Sequence, residues 1–382
     1  MQKIKFRFNE SHVDSFNTPG VLNLMFLDLT NQCNLRCLYC FNQHLLDLSP
    51  SHMEIALLEK ILQSKVTRKA KNWFFSGGEP LRYRYLDEAL RLFQKFGHHP
   101  KLATNGIELK PDVLDKWVEL GVQSVQFSLD TLNPSVFAEL NKGTGKNHRA
   151  ILENLKYAVK SPLRVVVSSV LTKANAKEIS DIMRFCCDAG IDSYTLYPNV
   201  PAAKIQTDLI VPLAQMPDVI DGLIKDYQEI CSTRVIDMSI PCIQFSDVYA
   251  KWKDKVAIRL HACGAGQYNL KITSEGKVST CICQDAPEFI VGDLRLQDID
   301  EVWDSVENRD FRSLYRKIPE CRVCPIQAEC RGGCRNEAYV LGRNGILSLD
   351  PHCEFFKSSA YRKEGRNVET SLGSLPTVAK IP

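Results

Sequence analysis

Three cysteines lie close together near the start of the chain, in the stretch DLTNQCNLRCLYCFNQ. Cys33, Cys37 and Cys40 follow the spacing C-x3-C-x2-C, directly after an apolar run. Three thiolates can bind three irons of a cubane iron–sulfur cluster and leave the fourth iron open to an outside ligand. A structural zinc site normally takes four closed ligands, so three thiols favour the open cluster. Taken alone, the pattern also permits three incidental core thiols or a zinc site that borrows a distant ligand.

A second motif, FFSGGEPL, ends the next apolar run of the chain. Gly77 and Gly78 are followed there by Glu79 and Pro80. Two glycines at the end of a strand let backbone groups approach a ligand closely, and an acidic residue after them can accept a hydrogen bond from a cationic amine. The motif gains weight because it comes one strand and one helix after the three cysteines.

Seven further cysteines form a second group towards the end of the sequence. They are Cys263, Cys281, Cys321, Cys324, Cys330, Cys334 and Cys353. Two alternating segments around the turn SEGK, just before the second of these cysteines, predict a hairpin. The C-x2-C spacing lets the backbone of a turn place two sulfurs on one metal. Seven thiols exceed one four-coordinate site, so we predict two metal sites, for which zinc and iron–sulfur are both open on spacing alone.

The composition narrows the class of protein. Fifteen cysteines are many for 382 residues, and the N-terminal stretch lacks the apolar segment of a signal peptide. Disulfides are therefore a poor explanation, and metal-binding thiolates in a reducing compartment are a better one. A formal net charge of +3 gives no reason to expect nucleic acid, and no apolar run approaches the roughly 18 residues of a membrane span. We expect a cytoplasmic protein without a nucleic acid or membrane partner.

The elements that must position these motifs alternate between strand and helix patterns. Six apolar segments before about residue 201 have the character of buried strands: VLNLMFLDLT, NWFFS, KLATN, VQSVQFSLD, LRVVVSSVLT and SYTLYP. Helical patterns between them predict an α/β protein with a parallel sheet. Polar residues at the strand ends, such as Asp28, Ser76, Asn105 and Ser128, suggest a barrel-like sheet with its site at the C-terminal rim.

The two N-terminal motifs together resemble the radical SAM superfamily. Its hallmark, C-x3-C-x-aromatic-C, is matched by Cys33, Cys37, Tyr39 and Cys40, and a GGE motif follows on the second strand. The resemblance implies a partial (β/α)6 TIM-type barrel. It also implies a [4Fe–4S] cluster whose open iron binds S-adenosylmethionine (SAM), and reductive cleavage of SAM to a 5'-deoxyadenosyl radical that abstracts hydrogen from a substrate C–H bond.

By position, this resemblance places Gly77, Gly78 and Glu79, with Pro80 next to them, at the methionine amine of SAM. Tyr39 joins them as a cofactor-binding residue, beside the catalytic cysteines.

Further along the chain, Thr104 and Asn105 would lie on the rim of the third strand. Ser128 and Asp130, in FSLD, would lie near the ribose or carboxylate of SAM, with strand-end capping as the alternative, and Asp130 is expected to be catalytic together with the three cysteines. The helical arginine that often follows the fourth strand in the family is not evident, and Lys142 is its nearest stand-in.

The second cysteine group resembles the SPASM extension of radical SAM enzymes, and all seven family cysteines are matched over residues 263–356. This resemblance implies two auxiliary [4Fe–4S] clusters, which makes three clusters in all. The inner one would be bound by Cys263, Cys281 and Cys334. The outer one would be bound by Cys321, Cys324, Cys330 and Cys353.

A further ligand of the inner cluster is left open by the sequence. The family often has it a few residues after the first cysteine, where this chain offers only Asn269. Cys283 or Cys242 could complete the site, or the site could be open. Three remaining thiols lie in helical patterns and are interpreted as buried or incidental: Cys186, Cys187 and Cys231.

These resemblances give an expected domain organisation. It consists of an N-terminal extension (1–17), a radical SAM core (18–235), a linker (236–262), a SPASM domain (263–356) and a C-terminal tail (357–382). Helical patterns are expected from about residue 211 to residue 262.

Modification of a ribosomally made peptide is the function that this resemblance favours, and a sugar or small-alcohol dehydrogenase or epimerase is the alternative. Ile282 stands where sulfatase maturases carry a catalytic aspartate, and Asp285 is out of register, so sulfatase maturation is disfavoured. A pure electron carrier would not need the GGEP motif, and a zinc-binding interaction module would explain only the second cysteine group.

Two protein partners are expected in addition to the peptide. The chain begins about twenty residues before its first strand, which leaves no room for a fused leader-binding domain. We therefore expect a separate leader-binding protein. A flavodoxin- or ferredoxin-type protein is expected as the electron donor.

Overall fold

The computed structural model describes residues 7–8, 20–198, 207–212, 215–230, 236–240, 257–258, 263–324, 327–351 and 353. The strands in this part of the chain are β1 (Arg7–Phe8), β2 (Leu24–Thr30), β3 (Asn72–Gly77), β4 (Lys101–Thr104), β5 (Ser124–Ser128), β6 (Arg164–Leu171), β7 (Ser193–Pro198), β8 (Asp237–Ser239), β9 (Ala257–Ile258), β10 (Asn269–Ile272), β11 (Lys277–Ser279) and β12 (Ile290–Asp293).

The α-helices are α1 (Gln43–Leu46), α2 (Ile55–Gln63), α3 (Leu86–Lys95), α4 (Pro111–Glu119), α5 (Pro134–Asn141), α6 (Gly145–Ala158), α7 (Ile179–Ala189), α8 (Met216–Ile230), α9 (Ile299–Trp303), α10 (Val306–Arg312), α11 (Pro319–Arg322), α12 (Gln327–Cys330) and α13 (Arg335–Leu341). Short 3-10 helices include Pro80–Arg82 and Leu314–Lys317.

Ten strands form one sheet, in the order β12-β11-β10-β2-β3-β4-β5-β6-β7-β8. All neighbours from β10 to β8 are parallel, and β11 and β12 add an antiparallel edge beyond β10. The six strands predicted from the sequence are β2 to β7, and they lie side by side in chain order. Among the described strands the sheet is therefore open, with β12 and β8 as its edges, and the hairpin β10–β11 continues it beyond β2.

The strands have two different faces because successive side chains alternate across a sheet. In β2, Met25, Leu27 and Leu29 are fully buried in the core that the helices cover, whereas Phe26 and Asp28 belong to the opposite face. Burial of each large apolar side chain contributes about 1.5–3 kcal/mol, so this face fixes the register of the strands. The opposite face and the C-terminal rim are left for polar and functional side chains.

The segment between α5 and α6 is fixed by local capping. Asn133 caps α5 by accepting a hydrogen bond from the Ser135 amide, and Thr144 begins α6 with a capping box. Lys142 ends α5 in the left-handed conformation, with φ of 55°. These caps hold Asn141, the last residue of α5, at a defined place beside the rim.

The remaining sequence predictions for the fold have mixed outcomes. The helix predicted after residue 211 is confirmed as α8, but Asp237–Ser239, in the stretch expected to be a linker, is a strand that extends the sheet from β7. Cys186 and Cys187 are buried in α7, as predicted. Cys231 and Cys242, most of residues 1–17 and the whole of 357–382 lie outside the described residues. The domain boundaries stay a prediction.

Candidate active site

The loop that carries Cys33, Cys37 and Cys40 runs from the end of β2 to α1, and the end of α5 holds it in place. The backbone amides of Arg36 and Leu38 donate hydrogen bonds to the carbonyl oxygens of Asn141 and Leu140, at 3.3 and 2.8 Å. The last carbonyl groups of a helix have no hydrogen-bond donors within the helix, and the amides of this loop act as their donors. The contact therefore fixes the cysteine loop and the helix end together.

The three thiols of this loop influence one another. Burial raises the pKa of Cys37 far above its ordinary value, and the negative charges of Cys40, Asp130 and Cys33 raise it further. Burial likewise raises the pKa of Cys40 to about 11. Thiols in such surroundings become thiolates when a cationic metal centre binds them. A three-sulfur donor set whose members repel one another as anions therefore fits an iron–sulfur cluster.

Among the residues that the structure describes, no three His, Cys, Asp or Glu side chains surround a single point as the ligands of one metal ion would. A cubane cluster does not need such convergence, because each thiolate binds a different iron atom.

Asp130 lies just beyond β5 and is tied to the cysteine loop. Its Oδ2 accepts a short hydrogen bond from the hydroxyl of Tyr39 and one of 3.1 Å from Nδ2 of Asn141. Its Oδ1 accepts a hydrogen bond of 2.8 Å from the amide of Val170 on β6. Burial raises the pKa of this carboxyl group. In this structure Asp130 positions Tyr39, and a direct role in catalysis stays a prediction.

Asn141 is the residue of this group that the sequence analysis missed. Its Nδ2 contacts the sulfur of Cys37 at 3.4 Å and the hydroxyl of Tyr39 at 2.7 Å, in addition to Asp130. Within the described residues, its Oδ1 is buried without a hydrogen-bond partner. A buried acceptor without a partner is costly, so this atom fits a ligand that donates a hydrogen bond. The only available signal was its place in LNKGTG, beside Lys142, which is exposed.

Gly77 and Gly78 bring the end of β3 against the cysteine loop. The amides of Gly78 and Glu79 donate hydrogen bonds of 2.7 Å to the carbonyl oxygens of Thr30 and Gln32. A Cβ atom at either glycine would overlap one of these two oxygens. The close approach that the sequence predicted for a ligand is made here by the backbone that precedes Cys33.

Glu79 is buried at the rim, and its carboxylate joins β3 to β4. Its oxygens accept hydrogen bonds from Oγ1 of Thr104 at 2.7 Å and from the amide of Asn105 at 2.8 Å. It also caps the turn that begins at Pro80, by accepting from the amide of Leu81. Burial raises the pKa of Glu79 to about 7, although these hydrogen bonds oppose the shift. The predicted residues Glu79, Pro80, Thr104 and Asn105 are thus brought together.

Two more contacts complete this part of the rim. Nδ2 of Asn105 donates a hydrogen bond of 2.6 Å to Oδ1 of Asn34, between the first two cysteines of the loop. Ser128 ends β5 opposite Ser168 of β6 and is half-buried. Its predicted contact with SAM stays a prediction.

The second group of thiols surrounds the hairpin β10–β11 and the helices after it. Burial raises the pKa of Cys263 to about 11, and the charge of Cys281 adds to this shift. The backbone amide of Cys283 donates a hydrogen bond of 3.4 Å to the sulfur of Cys281, and hydrogen bonds from Cys283 lower the pKa of Cys281. Nδ2 of Asn269 donates to the carbonyl oxygen of Thr280 at 3.2 Å. Asn269 is therefore engaged within the hairpin, and Cys283 is the better candidate for a further ligand.

The four thiols of the predicted outer cluster influence one another electrostatically. Burial raises the pKa of Cys321 to about 12; Arg335 opposes the shift, and the charges of Cys330, Cys353 and Cys324 add to it. Their binding of one outer cluster, which the SPASM resemblance implies, stays a prediction.

Cys334 begins α13, and its sulfur accepts a hydrogen bond of 3.5 Å from the amide of Glu337. Its assignment to the inner cluster stays a prediction.

Comparison with known proteins decides the family. The model of the radical SAM superfamily matches residues 27–186, and that of the SPASM iron–sulfur cluster-binding domain matches residues 263–325. The chain is a radical SAM protein with a SPASM domain. These two domains imply SAM and [4Fe–4S] clusters as its cofactors, and the resemblance found in the sequence is confirmed.

Several known proteins are similar over most of this radical SAM chain. The PqqA peptide cyclase of Bradyrhizobium diazoefficiens is 26% identical over 90% of this chain and 89% of its own. The tungsten-containing aldehyde ferredoxin oxidoreductase cofactor-modifying protein of Pyrococcus furiosus is 25% identical over 81% of this chain and 89% of its own.

Among solved structures, SuiB of Streptococcus suis bound to SAM covers 87% of this chain and 78% of its own, with a TM-score of 0.70 and 18% identity. SuiB bound to its precursor peptide SuiA has a TM-score of 0.69, with 18% identity over 86% of this chain and 75% of its own. This likeness confirms the α/β fold with its partial barrel. In the described part of this chain, no helix has the length and apolar character needed to cross a bilayer.

Proposed function

We propose that this radical SAM protein modifies a ribosomally made peptide. The observation that carries the proposal is the arrangement at the rim, where the three-cysteine loop packs on the GGE turn beside a SPASM hairpin that continues the sheet. A PqqA peptide cyclase is similar over nearly the whole chain, and SuiB, which has the same fold, binds a precursor peptide. Both point to a peptide rather than to a free metabolite.

The cysteines of the loop, Cys33, Cys37 and Cys40, would bind the first [4Fe–4S] cluster. When bound, this cluster supplies the electron that cleaves SAM to methionine and a 5'-deoxyadenosyl radical, which takes hydrogen from the substrate. The protein's own contribution is to position the C–H bond and to exclude water. Asp130 is buried beside the loop and accepts a hydrogen bond from the half-buried Tyr39, which supports a dry site of this kind.

Glu79 is the residue that we propose for the amino group of SAM. Its carboxylate is buried, and its pKa of about 7 means that a nearby ammonium group would favour the ionised form. Gly77 and Gly78 would present backbone groups to the same part of SAM. The buried Oδ1 of Asn141 is a further acceptor for a donor on SAM, and Ser128 would lie near the ribose.

The SPASM thiols would bind two auxiliary [4Fe–4S] clusters. We propose Cys263, Cys281, Cys283 and Cys334 for the inner cluster. We propose Cys321, Cys324, Cys330 and Cys353 for the outer cluster. The contact between Cys281 and Cys283 supports the inclusion of Cys283, and the mutual influence of the outer four thiols supports the second set.

Asp285 is engaged elsewhere, which bears on the kind of peptide chemistry. Both of its carboxylate oxygens lie within 2.9 Å of Nζ of Lys271. Its carboxylate is therefore occupied by the lysine. This pairing and Ile282 support the expectation that the protein is not a sulfatase maturase.

The experiment combines the protein with peptides encoded beside its gene. Anaerobically reconstituted protein, SAM and a reduced flavodoxin or ferredoxin should give 5'-deoxyadenosine together with a mass change in one peptide. Adding a small leader-binding protein, which we propose as a second partner, should increase the share of SAM cleavage that yields modified peptide. The variant with all three loop cysteines changed to alanine is the control and should give neither product.

A second function has one specific observation in its favour. The Pyrococcus furiosus relative is described as a cofactor-modifying protein, so similar chains do not all act on peptides. If a small hydroxylated compound alone supports stoichiometric 5'-deoxyadenosine and a product oxidised by two electrons, this alternative is correct and the peptide proposal is wrong.

A further inference from the structure

Lys271 is a fully buried cationic side chain. It lies on β10, the SPASM strand that pairs with β2, and its side chain is 1% exposed. Its Nζ lies 2.8 Å from Oδ1 of Asp285 and 3.4 Å from Oδ2 of Asp28. Burial opposes its charge, but the two carboxylates raise its pKa above the ordinary value. The side chain is therefore held as an ammonium ion.

The contacts of this ammonium group join three separate segments. Asp28 lies within β2, two residues before its end, and Nζ donates a hydrogen bond of 3.3 Å to Oδ1 of Asn42 in the cysteine loop. It also donates to the carbonyl oxygen of Ile282, at 3.4 Å, in the segment between Cys281 and Cys283. Lys271 thus contacts a residue two positions from Cys40 and another between two SPASM thiols.

The polar groups around the ammonium are few and fixed. Nδ2 of Asn42 donates to Oδ2 of Asp28 at 3.1 Å and to the carbonyl oxygen of Gly77 at 3.2 Å. The ring centroid of Phe41 lies 5.6 Å from Nζ, and Nε2 of His44 lies 3.8 Å from Oδ2 of Asp285. The network sets one ammonium group against two carboxyl groups, and burial raises the pKa of one of them, Asp28, so removal of the lysine charge would change the local field strongly.

We propose that Lys271 is a positioning residue that connects the SAM-binding cluster with the inner auxiliary cluster and raises the reduction potential of both. The inference rests on the proposed cluster assignments and deepens them. A reduced cluster is one unit more negative than an oxidised one, so a nearby buried cation favours the reduced state. The negative charge of Asp285 has the opposite effect, because it disfavours the reduced state of a nearby cluster.

The test is a redox titration of the holoenzyme, followed by the electron paramagnetic resonance signals of the reduced clusters. Lys271→Met should shift the potentials of both clusters to more negative values, and Asp285→Asn should shift at least that of the inner cluster to more positive values. Lys277→Met removes an exposed lysine of the adjoining strand and should leave both potentials unchanged. The iron content of every variant is measured, so that only variants with their full iron content are compared.

The opposite signs separate an electrostatic role from a merely structural one. Unchanged potentials in iron-replete Lys271→Met, or shifts of the same sign in the lysine and aspartate variants, would overturn the proposal. If Lys271→Met does not hold its iron, the Asp285→Asn variant alone decides the question. A potential of the inner cluster that does not rise in this variant would then refute the proposal. No substrate is needed, so a wrong peptide assignment would leave this result intact.

Discussion

Nδ2 of Asn141 lies 3.4 Å from the sulfur of Cys37, and this contact joins the end of α5 to the loop that carries the three N-terminal cysteines. The same amide contacts Tyr39 and Asp130, so one side chain connects the loop, the fifth strand and the helix. A hydrogen bond to a cluster sulfur makes the reduced state more favourable. Asn141 is therefore expected to affect both stability and redox behaviour.

Asn141→Ala should lower the free energy of unfolding by about 1–3 kcal/mol, because it removes buried hydrogen bonds and leaves Asp130 with fewer partners. It should also shift the potential of the SAM-binding cluster to more negative values. Asn154→Ala is the matched control, since it removes two hydrogen bonds to the carbonyl oxygens of Gly106 and Ile107, away from the thiols. Equal redox potentials in the two variants would contradict the assignment.

Gly78→Ala should displace the cysteine loop, because the added methyl group would overlap the carbonyl oxygen of Gln32. We expect a loss of about 1–3 kcal/mol in stability and of most of the SAM-binding cluster, about four irons per chain. Gly222→Ala, on α8, is the control, because its added methyl group would meet no atom within 4 Å. Its free energy of unfolding should rise by up to about 1 kcal/mol. Iron analysis and thermal unfolding measure both effects, and a Gly78→Ala protein with full iron would refute the expected overlap.

The pKa of Glu79 predicts how SAM binding depends on pH. Burial raises this pKa to about 7, and the carboxylate must ionise to pair with the amino group of SAM. Because the free protein is protonated at Glu79 below pH 7, the dissociation constant for SAM should rise as the pH falls from 7 to 5.5, by up to about tenfold per pH unit. Glu79→Gln should bind SAM more weakly and without this dependence, as titration calorimetry would measure. A wild-type constant that does not change over this range would speak against the role of Glu79.

Cys283→Ala tests the proposed fourth ligand of the inner cluster. We expect the variant to lose the signal of that cluster or to change its shape, because a thiolate in contact with Cys281 is removed. Cys187→Ala changes a buried thiol of α7 and should leave all cluster signals intact. Identical spectra for Cys283→Ala and the wild type would show that the inner cluster has another ligand or an open position.

Much of the fold could be predicted because its signals are local. Apolar segments of strand length alternate with helical patterns, and this gave β2 to β7 in their correct order. The rim followed from the rule that parallel strands end at one edge, and it correctly brought Glu79, Thr104 and Asn105 together. The cysteine spacings predicted two further metal sites, and the assignment of individual thiols to them, which the SPASM resemblance implies, stays a prediction.

The parts that could not be predicted depend on contacts between distant segments. Lys271 and Asn42 are 229 residues apart in the chain, and their pairing exists only because the SPASM strand continues the barrel sheet. A lysine within a fully buried strand was the available signal. Asp285 was considered only as a misplaced base, whereas the structure pairs it with Lys271. The two glycines were assigned to a ligand alone, although they also accommodate the protein's own backbone.

The central claim is that Cys33, Cys37 and Cys40 hold the cluster that cleaves SAM, while the SPASM thiols hold two others. The most direct measurement is 5'-deoxyadenosine formation and iron content in the variant with these three cysteines changed to alanine. The wild type should contain about twelve irons per chain and cleave SAM, and the variant should retain about eight irons and form no 5'-deoxyadenosine. Normal SAM cleavage by the variant, or about four irons in fully reconstituted wild-type protein, would contradict the account.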